Sequence, residues 1–389
     1  MITIQNADAA LKDYYLDAFT AQLDENISPF FSAIEKNTDN VAGKDVKLAV
    51  IRGNVNGIVA GSEDGDLPEP YKNRYVNITA PLKNIYGTIE ISDKAMRASR
   101  ESSGAFVNLV NAEMEGLVSS AKENFRRMLF GNGSGELCLI EEKISSSVVK
   151  VDFIKQYFVG MQVDICDDDK NIVAGGEGVF ITAVDKNRLT VTFNSDSIEL
   201  PGQGHIYIHG SNGAELTGLD ALYYSAKIYG VKKEDEPYFE TYNVDGSAPL
   251  TVKHITDIID FMEENRNSKI NMILCSYKTR RMIAALAEDS KRAVNTIDVH
   301  TGYGAITVNN IPVYAEKYCP DNRIFFVNTD DFELCQLCDW EWLEDESGKI
   351  LKQVPGKAAY SATLVKYAEL ICRRPCGQAS LCDFDPDFV

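Results

Sequence analysis

The chain has 389 residues, 44% hydrophobic and 25% charged, with a net charge of −19 from 58 acidic against 39 basic residues. That composition is globular and long enough for two or three compact units. The acidic balance argues against tight binding to a phosphate backbone, and no stretch approaches the roughly 18 apolar residues of a membrane span.

The start, Met1-Ile2-Thr3-Ile4-Gln5-Asn6, lacks the basic residues and apolar run of a secretory signal. Nine scattered cysteines, an odd count, read as reduced thiols in a cytosolic compartment. Leu11, Tyr14, Tyr15, Ala18, Phe19 and Leu23 recur at steps of three and four and predict a helix. Pro29 breaks that pattern before Phe30, Phe31 and Ile34.

Residues 44–92 predict a long arm. Val46, Leu48 and Val50 alternate along a first strand; Val76, Ile78 and Ala80 alternate with Tyr75, Asn77 and Thr79 along a returning one. Between them lie Gly53, Gly57, Gly61 and Gly65, the acids Glu63, Asp64, Asp66 and Glu69, and Pro68 and Pro70. Two limbs of roughly 16 residues would reach about 50 Å at about 3.3 Å per residue. A compact chain of this length has a radius of gyration near ~21 Å. Such an arm exposes strand edges and one apolar face unless another subunit covers them. The alternative is a hairpin folded back on its own domain.

Residues 105–130 predict one amphipathic helix, with Phe106, Val110, Met114, Leu117, Ala121, Phe125 and Met128 on one face. Ser102 or Ser103 can cap its start, and Gly131 can close its end in a left-handed conformation. Gly131-Asn132-Gly133-Ser134-Gly135 then leads into short predicted strands at 148–153, 161–165, 179–184, 189–193 and 205–208. This spacing suggests a small inserted β-barrel or sandwich. From residue 217 the pattern is mixed: helical faces at 252–262 and 279–287, and strands at 270–275, 306–308, 313–314 and 324–327. Residues 358–370 and on to Arg373-Arg374 predict returning strands. The fold class is therefore α+β.

The order of these parts resembles the major capsid proteins of tailed bacteriophages, a fold shared with encapsulins. The resemblance rests on the 44–92 arm, the 105–130 helix, the glycine-rich 131–135 link, the run Gly304-Ala305-Ile306-Thr307-Val308-Asn309-Asn310-Ile311-Pro312-Val313-Tyr314, and the tail around Tyr367 and Arg373-Arg374. It implies an N-terminal arm (1–43), an extended loop (44–92) and a spine helix of a peripheral domain (93–135). The inserted β module (136–214) follows, then more peripheral domain (215–239), an axial domain (240–357) and return strands (358–389). It further implies self-assembly as pentamers and hexamers into an icosahedral shell around double-stranded DNA, held without sequence-specific contacts. The arm and N-terminal segment would lap over adjacent subunits. Expected partners are a separate scaffolding protein, a portal and decoration proteins; the arm begins too early for a fused scaffold, so either scaffolding is a separate protein or this is a mature form. The expected location is the virion, after the host cytoplasm; no cofactor, membrane contact or enzymatic activity is expected. Lys44, Lys47, Lys72 and Lys83 match no cross-linking motif, so no isopeptide bond is expected.

Residues expected at inter-subunit contacts are Arg52, Glu63, Asp64, Asp66, Glu69, Lys72 and Arg74, whose charges would fix docking register; a solvated turn is the plain alternative. Candidate chemistry elsewhere is thin. Cys335-Gln336-Leu337-Cys338 with Cys372, Cys376 and Cys382 could form a zinc site, or a thiol-redox enzyme centred on Cys335 and Cys338. In an extended segment, however, residues three apart face opposite sides, so inert thiols are favoured. His205 and His209 share a predicted strand face but show no carboxylate partner; with His254 and His300 they are expected on the surface. Asp164, Asp167, Asp168 and Asp169 lack calcium-loop spacing, so a solvated turn is expected. The 131–135 glycines follow a helix rather than a strand and lack the GK[ST] ending of a phosphate loop. An encapsulin-like compartment holding cargo protein is the alternative within the same fold.

Overall fold

The computed structural model describes residues 28–53, 73–98, 103–246, 249–289, 296–298, 304–345 and 348–385, with Ile58, Ala60 and Glu63. The predicted helix at 11–23 lies outside the described residues. Pro29, expected to break the preceding pattern, opens a one-turn helix, Pro29–Ser32, capped by the Ser28 side chain. Proline's missing N–H costs nothing at a first helical position. Phe30 and Phe31 are buried beside it.

The largest layer is organised by one long strand, Ala359–Cys372. On one side it pairs antiparallel with Lys83–Ser92; on the other it pairs with Phe332–Trp342 and Lys352–Gln353. Glu35–Asn37 extends the sheet parallel to Phe332–Trp342. The spine helix, Ser103–Phe130, covers this sheet. Its 28 residues span about 42 Å at 1.5 Å each. On the predicted face Phe125 and Met128 are buried and Leu117 and Ala121 partly so, while the side chains of Phe106, Val110 and Met114 lie outside the described set. Leu117 lies so close over Gly87 that a Cβ there would stand 2.7 Å from its Cδ1.

The helix ends differently from expectation. The Gly131 amide bonds to the Met128 carbonyl at 3.1 Å, and the left-handed glycines are Gly133 (φ 79°) and Gly135 (φ 81°). The last turn is tightened rather than closed by a left-handed cap. Gly218 packs against this end so closely that a Cβ there would lie 2.3 Å from the Met128 carbonyl oxygen.

Residues 136–208 close into a six-stranded barrel, in the order Thr190–Phe193, Val148–Val151, Glu136–Lys143, Gly204–Ile208, Gln162–Cys166 and Val179–Asp185. Alternating residues such as Val149, Val151, Val163, Ile165, Val191 and Ile206 fill a separate core. Sequence spacing placed five of these strands within about three residues and missed Glu136–Lys143, whose outer half is charged. Entry and exit run side by side: Gly213 N–H donates to Ser134 O at 2.7 Å, and a Cβ on Gly135 would lie 2.4 Å from Ser211 O.

The third unit is a seven-stranded sheet, ordered Tyr242–Asp245, Ala379–Cys382, Arg323–Val327, Met272–Cys275, Ile311–Ala315, Gly304–Val308 and Thr296–Asp298. The helix Val252–Arg266 buries Ile255, Ile258, Ile259 and Met262 in this unit's core, and Tyr277–Asp289 adds Met282 and Ile283. Asn309 (φ 50°) and Asn310 (φ 65°) make the tight turn between Val308 and Ile311, the type of two-residue hairpin that favours asparagine. Two segments pair differently from the sequence partition. Phe332–Trp342, grouped by sequence with the 240–357 unit, joins the Ala359–Cys372 sheet. Ala379–Cys382, grouped with the return strands, enters the seven-stranded sheet between Tyr242–Asp245 and Arg323–Val327. Strand partners at such separations leave no local periodic signal.

Candidate interaction surface

The arm is a two-stranded stem, Asp45–Ile51 paired antiparallel with Tyr75–Pro81, with Val41–Ala42 at its base. The alternation read from sequence sets its faces. Val46, Val50, Ile78 and Ala80 are buried and join the main core, while Lys47, Ala49, Tyr75, Asn77 and Thr79 are exposed. The expectation that the chain could not cover this face is corrected for the stem. The hairpin formed by Lys227–Ile228 and Val231–Lys232 lies against it, and the Thr79 amide bonds to Tyr229 O at 3.2 Å. The register also ends the arm earlier than the sequence did: Lys83–Ser92 belongs to the large sheet.

Beyond the stem the covering stops. Ile51 and Tyr75 face each other across the last rung and are 48% and 57% exposed, and Ile58 is 93% exposed. Arg52 and Arg74 sit side by side there, with Arg52 N–H donating to Arg74 O at 2.7 Å. Arg52 Nε also pairs with Glu236 Oε2 at 2.9 Å, so its charge is tied to its own chain. Glu63 is exposed. Asp64, Asp66, Glu69 and Lys72 lie outside the described residues, as do Lys72's cross-linking candidacy and His300. Lys83 donates to Gly213 O at 3.1 Å, binding the large sheet to the barrel neck.

The cysteines are distributed as expected for inert thiols. Cys335 is fully buried and burial pushes its thiol up to about 12; burial likewise raises Cys338 to about 11. Cys372 stands opposite Phe332 and is raised well above the usual thiol range by burial. A reactive thiolate needs the opposite shift. Among the described residues no group of three metal-ligating side chains is assembled.

The histidine expectation needs correction. His205 Nδ1 lies 3.0 Å from Glu136 Oε1, and His209 Nδ1 lies 2.7 Å from Asp164 Oδ1. Carboxylate partners therefore exist, but each imidazole has its own. Asp164 is also buried rather than solvated. Burial would raise its pKa, but the Gly178 and Gly210 amides and His209 outweigh that and lower it. Asp167 does make the expected turn, accepting the Asn171 amide at 2.9 Å.

Sequence reading missed a set of buried ion pairs. Lys366, fully buried, donates to Asp339 Oδ1 at 2.5 Å and Gln336 Oε1 at 2.8 Å. Burial would raise Asp339, but Lys366 prevails and holds it at about 2. Arg127 joins Glu215, fixing the spine helix to the chain leaving the barrel. Arg126 joins Glu316 at 2.7 Å. Glu333 binds Arg373, with Asn37 at 3.1 Å and Asn40 at 3.2 Å, which secures the first strand. Arg374 instead caps the carbonyls of Arg266 and Asn267. Glu369 is fully buried; burial raises it to about 7, against the lowering effects of the Thr217 amide and Lys83. A lone Lys or Glu inside an apolar strand run, as in Leu364-Val365-Lys366-Tyr367-Ala368-Glu369-Leu370, was the available signal.

No family model and no curated protein matches the chain. Solved structures do. A cyanophage A-1(L) capsid asymmetric unit is 12% identical and superposes with a TM-score of 0.52, covering 92% of this chain and 93% of that one. The capsid of an empty GTA particle is 10% identical with a TM-score of 0.50, covering 92% and 91%. The SrpI encapsulin from Synechococcus elongatus PCC 7942 is 10% identical with a TM-score of 0.48, covering 93% and 90%. At these identities what is shared is the fold. The chain has the phage capsid fold, as the order of its parts implied.

Proposed function

We propose that this protein is the major shell subunit of a tailed phage, assembling as pentamers and hexamers into an icosahedral capsid that encloses double-stranded DNA. The observation that carries the proposal is the combination of the capsid fold with an arm whose covering stops at Ile51, Tyr75 and Ile58. Exposed apolar residues at the end of a projecting hairpin are suited to burial by a second copy. The seven-stranded unit would converge at capsomer centres, the large sheet and spine helix would form the periphery, and the arm would lap over an adjacent subunit. Glu63, Asp64, Asp66, Glu69, Lys72 and Arg74 would set its docking register, with Arg52 held by Glu236 of its own chain. The net charge of −19 limits adhesion of packaged DNA to the shell, leaving containment to hold it. A scaffolding protein, a portal and decoration proteins are the expected partners, and the virion is the expected location.

Electron microscopy of the purified protein, alone and with a co-expressed scaffold, tests this. Closed shells with five- and sixfold vertices are expected. A persistent monomer under all such conditions overturns the reading.

A further inference from the structure

We propose that Glu369 is a pH-sensitive latch on the barrel neck. Protonated, it holds the chain leaving the barrel against the large sheet; ionised, it draws Lys83 away from that chain and lets the neck open.

Three ties fix the outgoing chain. Lys83 Nζ donates to Gly213 O at 3.1 Å, Arg127 pairs with Glu215, and Thr217 N–H donates to Glu369 Oε1 at 2.7 Å. The first and third come from neighbouring places on the sheet, since Lys83 stands opposite Ala368, the residue before Glu369. The middle tie belongs to the spine helix and serves as the pivot. Glu369 is 0% exposed, and its Oε2 is buried without a hydrogen-bond partner among the described residues. A neutral carboxyl tolerates that setting, whereas a carboxylate is left with a charged oxygen that nothing solvates.

The groups around Glu369 decide where an ionised carboxylate turns. Phe332–Trp342 places Cys335 opposite it, and beyond Cys335 the Glu333 carboxylate is already joined to Arg373. The hairpin at residues 227–232 contributes Tyr229, whose hydroxyl donates to Leu370 O at 3.0 Å. The outgoing chain contributes Thr217, and Glu215 with its partner Arg127. Lys83–Ser92 contributes Lys83, a cation held by a neutral carbonyl and within electrostatic reach of Glu369. A carboxylate is the stronger acceptor, so ionisation favours moving Lys83 from Gly213 O to Oε2. Burial raises the Glu369 carboxyl to about 7, so the closed latch binds a proton that the open one releases near the ordinary 4.5. Rising pH therefore favours opening until the closed form has also ionised.

Hydrogen exchange on the full, unassembled chain at about pH 6 and about pH 8, corrected for intrinsic exchange rates, tests this. Amides of residues 209–218 are expected to lose about tenfold protection at the higher pH, as a closed-state value of about 7 requires. The barrel strand Val148–Val151 is expected to keep its protection. Glu369→Gln should abolish the pH response of the neck. Lys83→Met keeps the carboxyl but removes the cation that stabilises its ionised form, so the response should steepen beyond the wild-type ratio. A neck indifferent to pH, a loss shared by Val148–Val151, an unaltered response in Glu369→Gln, or an unaltered ratio in Lys83→Met overturns the proposal. The measurement needs no shell, so it stands apart from the test of assembly.

Discussion

The barrel and the arm solve the same problem in opposite ways. In the barrel every strand has two partners and the apolar residues enclose a core of their own. Closure removes the edges, so its strands need no pairing from another chain. The arm has a covered stem, but apolar side chains and strand edges persist toward its end. On the proposed shell reading, the difference would put inter-subunit contact in the element left incomplete, while the barrel closes without another chain.

The comparison breaks most visibly if the arm is dispensable. Replacing residues 54–72 by a short glycine linker keeps both stem strands, so circular dichroism and melting of the subunit should be unchanged. Shell yield by sedimentation should fall about a hundredfold or more, equivalent to about 3 kcal/mol per contact. Normal shells from this variant would remove the arm from the account. The sheet that carries both elements is tested next. Lys366→Ala removes the buried partner of Asp339, which keeps Lys36 at 3.3 Å and is partly exposed, so the cost in urea denaturation should be about 3 kcal/mol or less.

Glu369 ties the same sheet to Thr217, where the chain leaves the barrel; Thr217 N–H donates to Oε1 at 2.7 Å. Its folded pKa of about 7 exceeds the ordinary 4.5, so the folded state binds the extra proton. Its contribution to stability is therefore greatest below about pH 4.5 and declines as pH rises to about 7. The expected loss is on the order of 3 kcal/mol, and Glu369→Gln should flatten that slope in denaturation curves taken across this range. A smaller effect is expected at the barrel neck. Gly135→Ala puts a Cβ against Ser211 O in a left-handed position and should cost about 1–3 kcal/mol, measured by calorimetry. Smallest of all, joint reversal of Glu63, Asp64 and Asp66 to Lys should slow assembly about tenfold and alter its salt dependence by light scattering. Equal rates at low salt would assign these acids to a solvated turn.

The sequence was most legible where the signal is local. The period of Phe125 and Met128 marks the spine, the alternation at Val46, Val50, Ile78 and Ala80 marks the stem, and Asn309-Asn310 marks a hairpin. Long-range partners were hidden. Nothing near residue 379 says that Ala379–Cys382 pairs with Tyr242–Asp245, and Glu215 carries no mark of Arg127. Reading Asp164 with its acidic neighbours also failed, since His209 and the amides of Gly178 and Gly210 enclose it while Asp167 makes the solvated turn. In the candidate interaction surface the alternation of the stem residues was legible, but the pairing of Arg52 with Glu236 of its own chain was not.

The position of Ala379–Cys382 sets an order of events during synthesis. The barrel's pairings all lie within residues 136–208 and can close as soon as that stretch has left the ribosome. The seven-stranded sheet cannot: Tyr242–Asp245 waits, unpaired on that side, for a strand made much later. Until it arrives Tyr242–Asp245 has no neighbour and Arg323–Val327 lacks one. A nascent chain is thus held short of its final shape by its own topology until the strand Ala379–Cys382 has been made.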